Sequence, residues 1–151
     1  MAKRVYEIFD DPDINAPGSV WVGEAFDNQY PDIVQRIVNR LVKVAYWSTL
    51  EANRETQYQW WTRSGSNAYI DNKKSWDQIK DLRTRINPLL DDYYVAAINK
   101  SIAETKKYRL TRREVNVEGW IKREYLDNAL RDQKLTNYWP TQDASGKFSR
   151  A

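Results

Sequence analysis

The chain has 151 residues, a formal net charge of +3, and neither cysteine nor histidine. A chain of this length can bury a core as one domain without metals or disulfides to hold it together. The two missing residue types exclude disulfide bonds, the usual zinc sites, thiol nucleophiles and imidazole general bases. No apolar run approaches the roughly 20 residues of a membrane span, and the first residues lack a secretory signal, so we expect a soluble, unprocessed protein.

Charge is distributed unevenly along the chain. Residues 1–34 carry a net charge of −5, residues 35–63 carry +3 and residues 93–113 carry +5, whereas the other segments are neutral. This asymmetry suits a protein that meets a polyanion with one surface and protein with another. The seven Trp and ten Tyr leave two interpretations open, a core built from large aromatics or more interface than a monomer needs.

Residues 1–30 are predicted to form an extended N-terminal arm. Pro12, Pro17, Gly18 and Gly23 interrupt any helical period in this stretch. Its apolar and aromatic residues are too many for a disordered tail. We therefore expect the arm to pack on its own helices or on a neighbouring subunit.

A long helix is predicted from Pro31 to about Trp61, ended by the turn-forming SGSN segment at residues 64–67. A break near Ser48 and Thr49, which would give two shorter helices, is an open alternative. At about 100° per residue one broad apolar face is predicted to meet the core. That face consists of Ile33, Val34, Ile37, Val38, Leu41, Val44 and Ala45.

The opposite edge of this helix carries what we call the basic-aromatic stripe. Its members are spaced four, three, four, seven, four and three residues apart: Arg36, Arg40, Lys43, Trp47, Arg54, Tyr58 and Trp61. Glu51 is the one acid on it, and guanidinium groups repeating along a helix suit a phosphate backbone, while aromatic rings can stack on exposed bases. A solvated helix face with its aromatics turned toward a neighbouring element is the alternative.

A second helix is predicted after Ser75, which forms a capping box with Gln78 ahead of an apolar series. The series is Trp76, Ile79, Leu82 and Ile86. The Asn87–Pro88 dipeptide ends this helix and can cap a third one over residues 89–108.

A second basic block follows at the end of the third helix. It comprises Lys106, Lys107, Arg109, Arg112 and Arg113. Positive charge at a helix C-terminus compensates the helix dipole, and a compact cationic block can also contact phosphates. Both interpretations stay open at this point.

The last helix is predicted from a capping box of Thr111 and Glu114, or from about Glu118, and ends near Leu135. A polar C-terminal tail with aromatic anchors follows at residues 136–151. Taken together, the pattern predicts an all-α fold with a bundle of about four helices over residues 31–135.

Nothing in the sequence indicates catalysis. There is no P-loop, dinucleotide-binding fingerprint or nucleophile elbow, and the paired acids lack a nucleophile or metal-ligand partner. We therefore expect neither an enzyme nor a cofactor or metal site. A helix-turn-helix regulator using residues 111–135 is a further alternative, although its would-be recognition helix is rich in acids.

A small, all-helical, cysteine-free chain with an extended arm, a basic stripe on its first long helix and many Trp and Tyr resembles the major coat proteins of filamentous archaeal viruses. The resemblance is one of architecture and composition, over the arm and residues 31–135. It implies a virion coat protein, assembled in the host cytoplasm, that packages double-stranded DNA non-specifically in a helical filament.

The same resemblance implies further properties. Such coat proteins often pair with a related second coat protein, hold the DNA in A-form and in some members lie under a lipid envelope. By position it implies phosphate contacts from Arg36, Arg40, Lys43 and Arg54, with the second basic block as a further candidate. A helical adaptor protein of a phage or cell that does not bind DNA is the alternative from another class.

Overall fold

The computed structural model describes residues 18–65, 67–111 and 115–149. Within them the fold is all-α, as the sequence predicts, and no sheet is present. The one β feature there is an isolated antiparallel bridge between Gln142 and Phe148. The six α-helices are α1 (Glu24–Gln29), α2 (Pro31–Thr49), α3 (Arg54–Arg63), α4 (Tyr69–Trp76), α5 (Asp92–Lys107) and α6 (Arg123–Asp132).

The chain divides into two compact units that interleave along the sequence. One unit contains Tyr30–Pro88 and Glu124–Trp139, and we call it the α2 unit. The other, the α5 unit, contains Leu89–Arg123 together with residues on either side, of which 18–29 and 140–149 are described. Residues 1–17 of the predicted arm lie outside the described part of the chain.

Helix α2 begins at Pro31, as predicted, and is joined to α6 in its unit by hydrogen bonds that link Gln35 to Tyr125 and Asn128. Val34, Val42 and Thr49 are its buried residues. Their spacing of eight and seven residues keeps them on one side of the helix. Buried residues of α6 are Leu126, Ala129 and Leu130.

Polar side chains fix the pairing of these two helices. Gln35 Nε2 donates to the Tyr125 carbonyl at 2.8 Å, and Gln133 Nε2 donates to the Asn39 carbonyl at 3.0 Å. Because an amide donor bonded to a carbonyl on the facing helix has a narrow range of positions, these two bonds set the axial register of the pair.

The predicted core face of α2 is rotated from the observed one. Ile37, Leu41 and Val44 are exposed, Val44 to 60%, although they were predicted to be buried. The observed core face runs instead through Val34 and Val42, and the difference corresponds to about one residue around the helix. Periodicity alone cannot locate the packing direction within an apolar arc this broad.

The long predicted helix breaks after Thr49 into α2 and α3. This agrees with the alternative in which a break near Ser48 and Thr49 gives two shorter helices. Leu50 is extended, with ψ of 124°, and a 3₁₀ turn over Glu51–Asn53 leads into α3. Side chains bond carbonyls at the break: Asn53 Nδ2 donates to the Trp47 carbonyl, which also accepts from the Leu50 backbone N–H, and Gln57 Nε2 donates to the Ser48 carbonyl. The break is thus built by hydrogen bonding and is not a frayed end.

The predicted helix after Ser75 is wrong. Helix α4 ends at Trp76, and residues 77–91 contain only a 3₁₀ turn over Leu82–Thr84. Instead of closing a capping box, Gln78 Nε2 donates to the Ser75 carbonyl. The Trp76 carbonyl accepts from the backbone N–H of Ile79, and the carbonyls of Trp76 and Ile79 both accept from a remote arginine, described below. Tertiary hydrogen bonds therefore hold this segment in its non-helical path.

In the α5 unit, α5 starts later than predicted. Asp91 is the N-cap and its carboxylate accepts from the Tyr94 backbone N–H, which is the ordinary capping arrangement. The Asn87–Pro88 pair therefore does not cap this helix. Its C-terminus at Lys107 lies one residue from the predicted end.

Segments from both ends of the chain are fixed to the α5 unit. The hydroxyls of Ser19 and Tyr94 are hydrogen-bonded at 2.7 Å, and the backbone N–H of Gln142 donates to the second carboxylate oxygen of Asp91 at 2.8 Å. Arg123 also donates to the Leu90 carbonyl. The described part of the predicted arm and of the predicted tail is therefore structured.

The last helix is shorter than predicted at both ends. It runs from Arg123 to Asp132 and so begins five residues after Glu118. Glu114 of the predicted capping box lies outside the described residues. Beyond the helix, Trp139 is buried and its indole N–H donates to the Ile86 carbonyl at 2.7 Å, so the aromatic anchor predicted for the tail belongs to the core of the α2 unit.

Candidate nucleic-acid interface

Three members of the predicted stripe, which we call the α2 cations, lie together on α2. Arg36, Arg40 and Lys43 are all exposed. Measured around the helix, they lie on the side opposite Val34 and Val42. None of the three forms an ion pair or hydrogen bond within the described chain. Asp32, one turn before Arg36, is also exposed and is not paired with it.

The α2 cations lie within a short length of helix, beside which a duplex presents more phosphates than there are cations. At about 1.5 Å rise per residue, the seven steps from Arg36 to Lys43 span about 10 Å of helix axis. Duplex DNA carries about one negative charge per 1.7 Å of its axis, so about 10 Å of duplex offers about six phosphates. Three unpaired cations with long, flexible side chains can therefore each find a phosphate.

Arg54 does not belong with the α2 cations, although the sequence places it on the same stripe. Its guanidinium forms two bonds of 2.7 Å to the Glu51 carboxylate. It also donates to the carbonyls of Trp76 at 2.6 Å and Ile79 at 2.9 Å. Its side chain is only 11% exposed. The helix break after Thr49 turns Arg54 inward and away from the α2 cations, and a phosphate contact from it stays a prediction.

The electrostatics around Arg54 agree with that geometry. The hydrogen bond from Arg54 holds the pKa of the Glu51 carboxyl below its usual range. In turn, the bond to Glu51 raises the pKa of the arginine. A bond of 3.4 Å to the Tyr58 hydroxyl completes the set, so each of the five guanidinium protons has a protein acceptor. Arg54 therefore acts as a clamp between α3 and the end of α4 with the segment that follows it.

Two aromatic members of the stripe also face inward. Tyr58 is buried and its hydroxyl donates to Asp77 at 3.1 Å; burial is the main reason that its pKa is raised. Trp61 packs on Trp76 with ring centroids 4.8 Å apart. These rings support the interpretation of the aromatic content as core, and they leave Trp47 as the stripe's one aromatic on α2.

Trp60, which the sequence pattern did not select, lies next to Trp47 at the end of the row of α2 cations. Its ring lies parallel to that of Trp47, with centroids 4.9 Å apart and an interplanar angle of 14°. Trp60 is 54% exposed. Adjacent residues on a helix point in directions about 100° apart, so Trp60 and Trp61 cannot both face the core. The sequence could therefore have indicated one exposed tryptophan here. It could not have indicated the contact with Trp47, which depends on the helix break at Leu50.

The second basic block lies at the C-terminus of α5 and is partly described. Lys107 pairs with Glu104 at 3.6 Å and lies over the ring of Tyr108. Arg109 is exposed and has a left-handed backbone, with φ of 57°. Lys106 is also exposed. The other two candidates, Arg112 and Arg113, lie outside the described residues.

Other kinds of site are not found in the described part of the chain. Residues 18–65, 67–111 and 115–149 contain no cluster of three or more acidic side chains placed to hold a metal ion. Nor does any helix among them combine the length and the apolar character that a membrane crossing requires.

Comparison with known proteins leaves the family open. No family model matches the chain, and no curated protein matches it. Its fold is similar to that of the periplasmic sulfonate-binding protein SsuA of a sulfonate ABC transporter from Methylobacillus flagellatus KT, with a TM-score of 0.68 and 27% identity. The match covers 80% of this chain and 36% of that one. The chain thus spans just over a third of that protein's length, and sulfonate binding is a property of the larger protein.

Proposed function

We propose that this chain is a structural coat subunit that binds double-stranded DNA without sequence preference and packages it in a helical assembly within a virion. The observation that carries the proposal is the row of α2 cations, exposed and unpaired on the side of α2 that faces away from the core. Cations in this arrangement contact phosphates, which carry no base identity. A coat protein that covers a whole genome needs that type of contact.

Exposed apolar surface supports the assembly part of the proposal. Ile37, Leu41 and Val44 form a row along α2 next to the cations. In the α5 unit, the exposed rings of Trp21 and Trp120 meet edge to face at 5.9 Å. Contiguous apolar groups on a surface of this kind commonly mark contacts with other subunits. We propose copies of the same chain and a related second coat protein as the occupants.

Two finer properties follow from the resemblance to coat proteins of filamentous archaeal viruses. These are A-form geometry of the packaged duplex and a lipid envelope around the filament. Circular dichroism of the DNA within reconstituted filaments tests the first, because A-form and B-form duplexes differ in their near-ultraviolet spectra. Lipid analysis of purified particles tests the second.

The experiment for DNA binding replaces all three α2 cations by glutamine, in the variant R36Q/R40Q/K43Q. Glutamine keeps the helix propensity nearly unchanged, so the fold is retained. The matched control is R63Q/K74Q/K80Q, which removes the same charge from three other exposed positions of the α2 unit. We expect the first variant to lose most of its affinity for duplexes of two unrelated sequences, and the control to lose much less.

Other outcomes contradict the proposal in distinct ways. Equal losses in the two triple variants would show that only net charge matters and that α2 is not the contact. A loss restricted to one DNA sequence would favour a regulator. If the parent does not bind DNA even when a partner subunit is supplied, the exposed row Ile37, Leu41 and Val44 is a protein-docking face and the adaptor function is favoured.

A further inference from the structure

The stacked pair of Trp47 and Trp60 has a free aromatic face. One face of the Trp60 ring is covered by Trp47 in a near-parallel stack. Since 54% of Trp60 remains exposed, the opposite face is open to solvent. Trp47 also holds the Trp60 ring in a fixed orientation, so a ligand that stacks on it does not have to order a mobile side chain.

This open face lies at one end of the row of α2 cations. Trp47 follows Lys43 by four residues and Arg40 by seven, and these spacings put all three on one side of the helix. The carboxylate of Glu51, four residues after Trp47, is paired with Arg54. A DNA strand whose phosphates contact the α2 cations therefore passes beside the Trp47–Trp60 stack.

We propose that the Trp47–Trp60 stack is a platform for an exposed nucleobase, which stacks on the open face of Trp60 while Lys43 and Arg40 hold the adjoining phosphates. A cationic track that leads to aromatic rings is the arrangement by which proteins hold unpaired strands without reading sequence. Inside a duplex both faces of each base are covered by neighbouring bases. The platform therefore accepts a base only from a single-stranded stretch or from the end of a duplex.

The inference rests on the proposed function for its phosphate contacts, but it adds a different ligand preference. Phosphate binding alone makes affinity follow charge, and a relaxed circular duplex then binds at least as well as a single strand. With the platform, a single strand gains a stacking contribution that the circle lacks. Alanine substitution of a stacking aromatic typically lowers single-strand affinity by about tenfold or more per base.

Three DNA probes distinguish the sources of the base: a short single strand of mixed sequence, a blunt duplex of the same length, and a relaxed closed-circular duplex. They are titrated against the full-length parent and W60A, at one salt concentration. The matched control is I70A, which removes an apolar side chain of similar exposure, 51%, from α4 of the same unit. Circular dichroism verifies that each variant is folded, and W60F, which retains a smaller ring, should bind the single strand between the parent and W60A.

The expected result is a loss of about tenfold in the affinity of W60A for the single strand, with no change for the circle. If W60A also loses affinity for the blunt duplex, duplex ends are a second source of the stacked base. If its affinity for the blunt duplex is unchanged, the platform takes bases only from single-stranded stretches. I70A should bind all three probes like the parent.

Single-strand affinity that is unchanged in W60A would overturn the platform, as would an equal loss on the single strand and the circle. Loss of self-association by W60A without any effect on DNA would likewise overturn it and assign Trp60 to a subunit contact. The circular duplex tests the proposed function separately from the platform. If R36Q/R40Q/K43Q loses affinity for the circle, the phosphate contacts of the proposed function hold, even when W60A shows that the platform does not exist. If the triple variant keeps parental affinity for the circle, the proposed function itself fails.

Discussion

Arg54 offers the sharpest test of how the structure departs from the sequence pattern. The substitution Arg54→Gln removes the guanidinium that bonds the carbonyls of Trp76 and Ile79. Glutamine is shorter and has one amide donor group, so it cannot bridge both carbonyls. A hydrogen bond to a charged group contributes about 1.5–3 kcal/mol. At the lower end of this range, the two lost bonds give about 3 kcal/mol of destabilisation.

The bonds to Glu51 add little to this value. The Glu51 side chain is 74% exposed, and ion pairs with an exposed partner contribute about 0–1 kcal/mol. The control variant Glu51→Gln should therefore lose less than about 1 kcal/mol, although it removes the same ion pair. The difference between the two variants isolates the contribution of the carbonyl bonds.

Urea and thermal unfolding followed by circular dichroism measure both variants. For a chain of this size, about 3 kcal/mol lowers the midpoint temperature by roughly 6–12 °C. An Arg54→Gln protein that unfolds at the parental midpoint would refute the clamp. If the folded variant also lost DNA affinity as strongly as R36Q/R40Q/K43Q does, Arg54 would be a phosphate contact, as the sequence pattern predicts.

Three further predictions concern acid stability, helix capping and assembly. The carboxyl pKa values of Glu51 and Asp81 are lower in the folded protein than usual. The stabilisation from these groups is therefore complete above the ordinary carboxyl pKa and is lost as the pH falls through the lowered values. Unfolding midpoints measured against pH should drop below about pH 4. Replacing Asp91 by alanine removes the α5 cap and should cost about 1 kcal/mol or more in a urea titration, whereas a parental midpoint would contradict the capping role. Deleting residues 1–17 should leave helical circular dichroism intact but abolish filaments in electron micrographs with DNA, and normal filaments from the truncated chain would refute the assembly role of this segment.

Features that depend on local sequence were predicted well. Pro31 marks the start of α2 because its fixed φ suits the first helical turn, and α5 ends within one residue of the predicted position. Helical periodicity also placed Arg36, Arg40 and Lys43 together on one side of α2, which needs no knowledge of what packs against the helix. The all-α class follows from the same periodicities.

Features that depend on remote partners were not predictable. The apolar series after Ser75 has helical spacing, yet the segment is bonded to Arg54 through the carbonyls of Trp76 and Ile79 and contains only a 3₁₀ turn over Leu82–Thr84. The stacking of Trp60 on Trp47 likewise depends on the helix break at Leu50. Such contacts join residues far apart in sequence, and a single sequence contains no periodic signal for them.

The dependence of DNA affinity on salt tests the central claim most directly. Each phosphate neutralised in a duplex adds about −0.9 to the slope of log affinity against log salt concentration. If the three α2 cations each contact a phosphate, the slope for R36Q/R40Q/K43Q should be about 2.7 units shallower than that of the parent, and R63Q/K74Q/K80Q should keep nearly the parental slope. A parental slope in R36Q/R40Q/K43Q would contradict the account.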